Sequence, residues 1–408
     1  MPSVDTGDTA WMLVSTSLAL LTVLGVSLFY GGMARKKNVL ATIMYGFTAL
    51  CVVSVVWALW GYALAFGPDV GGMIGRLEWF GLTGADAQPA EAAPTVPPAL
   101  QTLFQGMLAA IAPTLISGAL AERVKFSAFL LFTPLWVTFV YVPLVHWVWG
   151  GGWIGGYLSA IDFGGGLVIH VSAGVAGLAA AWVVGPRKGF GVDPLPPHDR
   201  VLTMLGAGLL WLGWLGVAAG SAYSAGRLAA HVVLGTVMAA GTAALGWALL
   251  ERSLKGKATV FGAATGSVAG LAAITAAAGF VDLWAAPIIG MGASLACYLA
   301  VELVPRLGMD DAFDVFALFG VGGISGVIAT GFFASARVNP AGLNGALAGN
   351  PPLMGIQAIA LSVVIGYVFV YTWIILKIVD WTIGLRVPED EEVEGLDRTQ
   401  HGERAYAL

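Results

Sequence analysis

The residue of this chain best suited to acid–base chemistry is a histidine within an apolar segment. His170 lies in the stretch DFGGGLVIHVSAGVAG, eight residues after Asp162. The stretch DAFDVFALFGVGGISG repeats this pattern 149 residues later, with Asp311 in the place of the first aspartate and Phe319 in the place of the histidine. A neutral imidazole donates through one ring nitrogen and accepts through the other, whereas a benzene ring does neither. The repeat predicts a site where two halves meet and only one half offers an imidazole.

Composition places these residues in a membrane protein. Hydrophobic residues make up 58% of the 408 residues and charged residues 11%, whereas soluble proteins carry about 25% charged residues. Glycine occurs 57 times, which favours closely packed membrane helices. We predict an all-α integral membrane protein with eleven apolar spans. The spans are expected near residues 10–31, 40–66, 99–120, 126–148, 165–185, 201–221, 229–250, 258–278, 284–304, 313–334 and 353–379.

The cationic residues predict the orientation of the chain. Sixteen of the 19 lysines and arginines fall in alternate loops or in the C-terminal region, and the other loops carry only Arg76, Arg227 and Arg337. By the positive-inside rule, the N-terminus is expected outside and the tail in the cytoplasm, in the inner membrane of the cell. The N-terminal segment has no positively charged region, so we expect no cleaved signal peptide.

Spans one to five and six to ten are predicted to form two repeats. Both Gly25–Gly32 in span one and Gly213–Gly220 in span six follow a leucine. Five spans is an odd number, so the second repeat must be inverted relative to the first, with the eleventh span outside both. We expect one membrane domain, residues 1–380, and a soluble tail, residues 381–408. Within the membrane domain, repeat 1 is expected at about 8–186, repeat 2 at about 200–334 and span eleven at about 352–380.

Several side chains near the span ends are candidates for binding or capping. Asp162 can cap the fifth span and add negative potential, and Asp311 and Asp314 stand where the tenth span begins. Trp149 precedes three glycines. It can be interpreted either as an interfacial tryptophan or as an aromatic wall for a cation. Ser221 offers a hydroxyl at the same membrane edge. A cation site formed by these groups is one interpretation, and ordinary helix ends are the other.

The sequence contains no motif that indicates catalysis. Walker, nucleophile-elbow and zinc-binding patterns are absent from it, so we expect no enzyme, no metal site and no cofactor. Cys51 and Cys297 fall inside apolar spans and are expected to be small core residues. The net charge of −5 is dominated by the tail and does not indicate a nucleic-acid partner.

The chain resembles the ammonium transporters of the Amt/Mep/Rh family, most closely the bacterial Amt branch. The resemblance covers nearly the whole chain and implies an eleven-helix bundle with a pseudo-twofold axis in the membrane plane. It also implies a homotrimer with one pore in each subunit. The matching segments are FYGGMARKKNVL (29–40), GALAERVKF (118–126), HWVWGGGW (146–153), DFGGGLVIH (162–170), GWLGVAAGSA (213–222), DDAFDVFALFGVGG (310–323) and GLRVPEDEEVEGLDRTQHGERAYAL (384–408).

The resemblance assigns roles to matching residues. An ammonium recruitment site would use Trp149, Ser221 and the carbonyl region held by Asp162. His170 matches the first of two paired pore histidines, which pass the substrate as ammonia while its proton is relayed separately. Trp214 would line the same pore. The tail, including Gly384, Arg386, Pro388 and Tyr406, is similar to the segment that responds to a PII-type signal protein.

The pore departs from the family pattern at four positions. Phe319 replaces the second histidine, Leu108 and Val217 replace the two phenylalanines that close the outer pore, and Ala218 replaces a polar amide. An apolar pore segment of this kind can exclude water. We therefore expect ammonium or ammonia transport through a single-histidine pore. Two alternatives remain open: a transporter or channel for a larger amine such as methylammonium or for a neutral small solute, and a transport-poor ammonium sensor that signals through its tail and a PII-type protein.

Overall fold

Eleven long apolar helices cross the structure, a computed structural model that describes residues 4–86 and 92–406. Each has the length and composition to span a bilayer, which confirms the predicted spans. Their bounds are α1 Thr6–Met33, α2 Lys36–Phe66, α3 Pro98–Leu120, α4 Phe126–Val148, α5 Gly166–Val184, α6 Arg200–Gly220, α7 Arg227–Lys255, α8 Val260–Ala277, α9 Ala285–Leu307, α10 Phe316–Phe333 and α11 Pro352–Ile383.

Short strands and helices lie at the two ends of the bundle. A hairpin of β1 (Asp69–Val70) and β2 (Ile74–Gly75) follows α2. Two short helices, α12 (Glu389–Glu394) and α13 (Leu396–His401), follow α11. We call the end with the hairpin the hairpin side and the end with α12 and α13 the tail side.

Helices α1 and α6 pack along each other in opposite directions. A Cβ at Gly25 would lie 2.4 Å from the backbone nitrogen of Leu210, and one at Gly32 would lie 2.4 Å from that of Thr203. Residue numbers rise along α1 as they fall along α6, so the first helices of the two repeats are antiparallel. This is the relation that an inverted repeat requires.

The same relation holds for α5 and α10, where the two repeats meet at the backbone. A Cβ on Gly174 would lie 2.2 Å from the nitrogen and the Cα of Gly320. The equivalent position in the second repeat is Gly323, whose Cβ would lie 2.9 Å from the nitrogen of Val171. Each residue in one contact is 149 positions from its counterpart in the other. The pseudo-twofold axis therefore passes between α5 and α10.

Buried ion pairs join four loops on the tail side. The Glu122 carboxylate accepts from Arg35 Nε at 2.9 Å and from Arg187 at 3.0 Å. Arg187 also binds Asp310 through two nitrogens, at 2.9 and 2.8 Å. Arg123, whose side chain is fully buried, donates to the Asp310 backbone oxygen at 2.7 Å. These loops follow α1, α3, α5 and α9, so the network holds the tail-side ends of both repeats together.

Charge pairing overcomes burial in this network. Burial acts to raise the pKa of Glu122, but Arg187 and Arg35 outweigh it and hold that pKa below its usual range. Burial likewise acts to raise the pKa of Asp310, and its bond from Arg187 together with the charge of Arg123 holds it below normal. Burial lowers the pKa of Arg123 to about 10, which leaves its guanidinium charged at neutral pH. All these groups are ionised in the folded protein at neutral pH.

The tail returns across these loops rather than extending into solvent. The Val387 N–H donates to the Arg123 carbonyl at 3.0 Å, which adds a short β-bridge to the loop after α3. The Asp397 carboxylate in α13 accepts from the Ala41 N–H at 2.8 Å near the start of α2. Tail and ion-pair network therefore form one continuous surface.

We predict that Gly174→Ala destabilises the protein by about 1–3 kcal/mol, because the new methyl group overlaps the Gly320 backbone. Thermal unfolding followed by tryptophan fluorescence in detergent measures the change. The matched control is Gly241→Ala, since a Cβ at Gly241 meets nothing within 4 Å. Equal unfolding temperatures for the two variants would contradict backbone contact at the axis.

We predict that Glu122→Gln costs roughly 3–5 kcal/mol at neutral pH, because it leaves buried guanidinium groups without their partner. The carboxyl pKa values of the network are lower in the folded than in the unfolded chain, so their stabilisation is present above about pH 4–5 and is lost as the pH falls.

Unfolding temperatures of wild type and variant should therefore converge as the pH falls below about 4. Glu302→Gln is the control, because Glu302 pairs with Lys255 at 2.7 Å on the exposed surface. A pH-independent difference between wild type and Glu122→Gln would argue against an ionised network.

Candidate functional site

The turn before α5 is fixed by one carboxylate. Asp162 Oδ1 accepts from the N–H groups of Gly165 and Gly166 at 3.0 and 2.7 Å. Its Oδ2 accepts from those of Leu167 and Val168 at 2.8 and 3.1 Å. The first N–H groups of a helix lack partners within that helix, so this carboxylate satisfies donors that would otherwise be buried unpaired. Burial raises the pKa of Asp162, and the four N–H groups act in the opposite sense.

This turn gathers the other predicted recruitment residues. Trp149 Nε1 donates to the backbone oxygen of Asp162 at 2.8 Å. Ser221 lies beside the same turn, since a Cβ on Gly164 would be 3.6 Å from its hydroxyl oxygen. Ser221 donates its own proton to the Val217 carbonyl at 2.9 Å, so the lone pairs of its oxygen remain for another donor.

Helix α6 leads from the Trp149 turn into the bundle. Ser221, Val217 and Trp214 are spaced by four and three residues and therefore share one helix face. Trp214 is buried and donates from Nε1 to the Thr275 hydroxyl on α8 at 2.9 Å. That bond uses the polar atom of the indole and leaves its faces for packing.

Three aromatic rings stack where the repeats meet. The rings of His170 and Trp214 have centroids 4.8 Å apart and planes inclined by 18°. Phe319 lies 6.2 Å from His170 and 6.5 Å from Trp214. Each of the three is at most 1% exposed. The imidazole and the benzene ring that the repeat predicted to face each other are therefore neighbours.

His170 is held by stacking and not by hydrogen bonds. Within residues 4–86 and 92–406, neither of its ring nitrogens has a hydrogen-bond partner. A buried polar group left unpaired costs about 1–3 kcal/mol. Stacking on Trp214 fixes the plane of the ring and leaves a donor and an acceptor at its edge. Such an edge can bind a small solute that both donates and accepts.

The two positions at which the resemblance predicts a phenylalanine gate hold apolar, enclosed side chains. Leu108 on α3 is 1% exposed and Val217 on α6 is 2% exposed. Phe104, one turn from Leu108, packs edge-on against Tyr223 with centroids 5.7 Å apart. Side chains rather than open space therefore occupy these two positions.

At the tail side, the expectation for one carboxylate was wrong. Asp311 Oδ2 accepts from the Phe316 N–H at 2.6 Å, the counterpart of the bond from Leu167 to Asp162. Asp314, also predicted as a cap, makes no side-chain hydrogen bond to α10 in the described part of the chain. It adopts a left-handed conformation (φ 56°) ahead of the helix, so the capping bond comes from the residue three positions earlier.

The two carboxylates titrate differently from ordinary surface groups. Burial raises the pKa of Asp311 to about 6. Burial, and next the negative charge of Asp311, raises the pKa of Asp314 to about 8. The start of α10 therefore holds fewer negative charges at neutral pH than its sequence suggests.

The predicted tail residues form the link between α11 and α12. Gly384 (φ 74°) ends α11, and Pro388 precedes α12. Arg386 binds Glu392 of α12 at 2.7 Å and the Val184 carbonyl of α5 at 3.3 Å. A residue of the tail thus contacts the helix that carries His170.

The last described residues lie against the loop before α6. The Tyr406 hydroxyl is 3.0 Å from His198 Nε2, and the ammonium group of Lys36 lies 5.9 Å from the Tyr406 ring. His198 Nδ1 also lies 3.0 Å from the Ala34 carbonyl. The tail therefore reaches the tail-side ends of both repeats.

Two features of the site were not predicted. Thr275, the partner of Trp214, lies in a helix whose pattern gives no sign of it. His146 was given no role from the sequence, but it is fully buried with both ring nitrogens bonded, one of them to Asp69. Such pairings cross between distant segments, and neither residue carries a local sequence signal for them.

Comparisons with known proteins agree with this architecture. Residues 10–406 match the model of the Ammonium Transporter Family. The chain is 46% identical over 401 residues to the "Ammonium transporter" of Bacillus subtilis (strain 168), covering 98% of each chain. The matching family is one of transporters and not of enzymes.

Solved structures share the fold. Candida albicans Mep2 aligns with a TM-score of 0.90 at 34% identity, over 95% of this chain and 88% of that one. A structure described as "Sensor Amt Protein" aligns with a TM-score of 0.89 at 27% identity, over 96% and 97%. The resemblance and the fold class predicted from the sequence are confirmed: this multi-pass membrane protein belongs to the ammonium transporter family.

Proposed function

We propose that the protein takes up ammonium and passes it as ammonia through a pore in each subunit, with His170 working without a second histidine. The observation that carries this proposal is the buried imidazole with two unused nitrogens, stacked on Trp214 below the Trp149 turn. Membership of the ammonium transporter family supports the substrate. The geometry supports the path.

Recruitment would occur at the mouth on the hairpin side. A cation there meets the face of Trp149, the lone pairs of Ser221 and the backbone of the turn that Asp162 holds. Cation–π attraction contributes about 0.5–2 kcal/mol at such a site. The buried carboxylate of Asp162 adds negative potential without leaving its four N–H groups.

Passage beyond the mouth favours the neutral form of the substrate. Leu108, Val217 and Phe319 are buried and apolar, and an unpaired charge among them would be expensive. Ammonia, in contrast, can donate to one nitrogen of His170 and accept from the other. Phe319 lacks both functions, so the proton cannot cross by a relay between two imidazoles.

A second candidate function is an ammonium sensor. The similarity to the solved sensor Amt protein and the missing second imidazole favour it. A tail that touches both α5 and the loop ion pairs supplies a route for a signal. A larger amine remains the third candidate, because Leu108 and Val217 are smaller than phenylalanine.

The assembly and the orientation are further parts of the proposal. We propose a homotrimer in the inner membrane with the tail side in the cytoplasm, supported by the cation-rich loops of that side. Residues 1–380 would form the transport domain and 381–408 a regulatory tail. A PII-type signal protein is the proposed partner of the tail side, where it would cover the cytoplasmic end of the pore.

We predict that an ammonium jump on proteoliposomes containing the unaltered chain gives a sustained, saturable current. His170→Ala should reduce it at least about tenfold, because about 1.4 kcal/mol of barrier stabilisation is enough for that factor. Phe319→His should increase the current, since it restores a second imidazole.

The outcomes separate the candidates. No current in the unaltered chain but a current in Phe319→His would favour the sensor. No current in either the unaltered chain or Phe319→His, together with uptake of labelled methylammonium, would favour the larger amine. No current and no uptake with any substrate would count against transport altogether.

We predict that Asp162→Ala lowers both stability, by at least about 3 kcal/mol, and ammonium flux, because four N–H groups lose their acceptor. Asp311→Ala is the matched control, since its carboxylate accepts from the Phe316 N–H and lies at the other end of the pore. Unfolding temperature and flux are the two measurements. A fully folded and fully active Asp162→Ala protein would refute the capping role.

A further inference from the structure

A buried histidine at the end of α4 faces two oxygen atoms. His146 is 0% exposed. Its Nδ1 lies 2.9 Å from the Ala65 carbonyl, and its Nε2 lies 2.9 Å from Oδ1 of Asp69. A carbonyl oxygen only accepts, so Nδ1 must carry a proton. An ionised carboxylate also only accepts, and a neutral imidazole has no second proton to give.

We infer that His146 and Asp69 hold one proton more than a neutral histidine and a carboxylate would, as an imidazolium–carboxylate pair, and that this pair positions Trp149 for recruitment. His146 is then a positioning residue and not a contact of the substrate. The inference deepens the proposed function, because it rests on the role of Trp149 at an outward-facing mouth.

The carboxylate form of Asp69 is supported by its other bonds. Both of its oxygens accept from the Gly72 N–H, at 2.8 and 2.9 Å. The bond from His146, and then the Gly72 N–H, hold the pKa of Asp69 below its usual range. The additional proton therefore resides on the imidazole.

The turn that carries Trp149 is built on His146. The N–H groups of Gly150 and Gly152 donate to the His146 carbonyl at 3.0 and 2.9 Å. A Cβ on Gly150 would lie 2.0 Å from the Ala65 oxygen and 2.9 Å from His146 Nδ1. The glycine backbone thus rests on the ring and on its acceptor, so a tilt of the ring moves the turn.

Asp69 anchors the hairpin to the same place. The hairpin holds two tryptophans that flank the turn: Trp153 donates its backbone N–H to the Gly72 carbonyl at 3.1 Å, and Trp147 donates Nε1 to the Met73 carbonyl at 2.8 Å. Loss of the bond between His146 and Asp69 would remove one of the two side-chain bonds that join the hairpin to α4, leaving that of Trp147. Both sides of the Trp149 turn depend on this proton.

The other charged side chains near the pair bind partners of their own. Arg76 and Glu78 pair with each other at 3.5 Å on the surface. The Asp162 carboxylate binds its four N–H groups. The remaining ionisable side chains in the neighbouring elements are the tyrosines Tyr62, Tyr141, Tyr157 and Tyr367, whose hydroxyls do not contact the pair. Within the described residues, Asp69 is the ionised group in contact with His146.

The proton makes recruitment depend on pH. Deprotonation of His146 leaves a nitrogen lone pair facing a carboxylate, which replaces a charge-assisted bond by repulsion. As the pH rises on the hairpin side, the turn loses its support and the affinity for ammonium falls. The passage beyond the mouth is unaffected, so the change appears in KM and not in kcat.

The first test does not need transport. Solid-state NMR of the full-length protein labelled with ¹⁵N-histidine and reconstituted in liposomes reports the protonation of its five histidines. At about pH 7 we expect an imidazolium signal that disappears in His146→Gln. In Asp69→Asn the His146 signal should become neutral, because the amide can donate to Nε2 while its oxygen still accepts from Gly72. A neutral His146 in the unaltered protein at this pH overturns the inference.

The second test measures ammonium KM at pH values where the substrate remains almost wholly protonated. We expect KM of the unaltered protein to rise about threefold or more between about pH 6 and 8, and that of Asp69→Asn to stay constant. The control is His231→Gln, because His231 Nε2 donates to a single acceptor, the Val281 carbonyl at 2.8 Å, and needs no extra proton. This control should keep the pH profile of the unaltered protein.

Each test can contradict its own part of the inference independently of the other. A pH-independent KM in the unaltered protein, or the same profile in Asp69→Asn, overturns the positioning role. If the protein moves no ammonium at all, the proposed function fails, and the NMR experiment still decides whether the pair holds the proton.

Discussion

The site depends on one interaction above all, the binding of four backbone N–H groups by the Asp162 carboxylate. It lets α5 begin inside the protein, where its first donors would otherwise be unpaired. The same residue offers its carbonyl to Trp149. Because His170 lies one to two turns into α5, this carboxylate also fixes the depth of the imidazole. The position of the Trp149 turn and the depth of His170 are therefore set by a single side chain.

The sequence predicted what local patterns encode. Apolar runs located the eleven spans, and the repeat placed His170 opposite Phe319. The sequence did not reveal the bond between His146 and Asp69 or the ion pairs of Glu122. These partners come from separate segments, and no local pattern marks any of them. The capping role of Asp314 was misjudged because a positive φ at an aspartate leaves no trace in composition. Distances between spans are decided by tertiary packing.

The two repeats share a backbone and differ in chemistry. Their fifth helices begin with equivalent π-helical turns, Gly166–Val171 and Phe316–Gly320, and each is capped by an aspartate. On this common frame, repeat 1 supplies the imidazole of His170. Repeat 2 supplies Trp214, which stacks on that imidazole, and Phe319, which offers only hydrocarbon. Symmetry of the main chain thus positions an asymmetric pair of rings. In the proposed function, this asymmetry would govern how protons and substrate share the passage.

At the contact between Gly174 and Gly320, the backbones of α5 and α10 touch with no side chain between them. Helices separated by side chains can slide by exchanging rotamers, but touching backbones have no such freedom. A transporter that works by rocking one repeat against the other needs a compliant interface along its axis. Here the touching backbones favour a rigid interface. In the proposed function, solute would then cross a stationary scaffold gated by individual side chains, at a rate set by their local motions rather than by movement of whole domains.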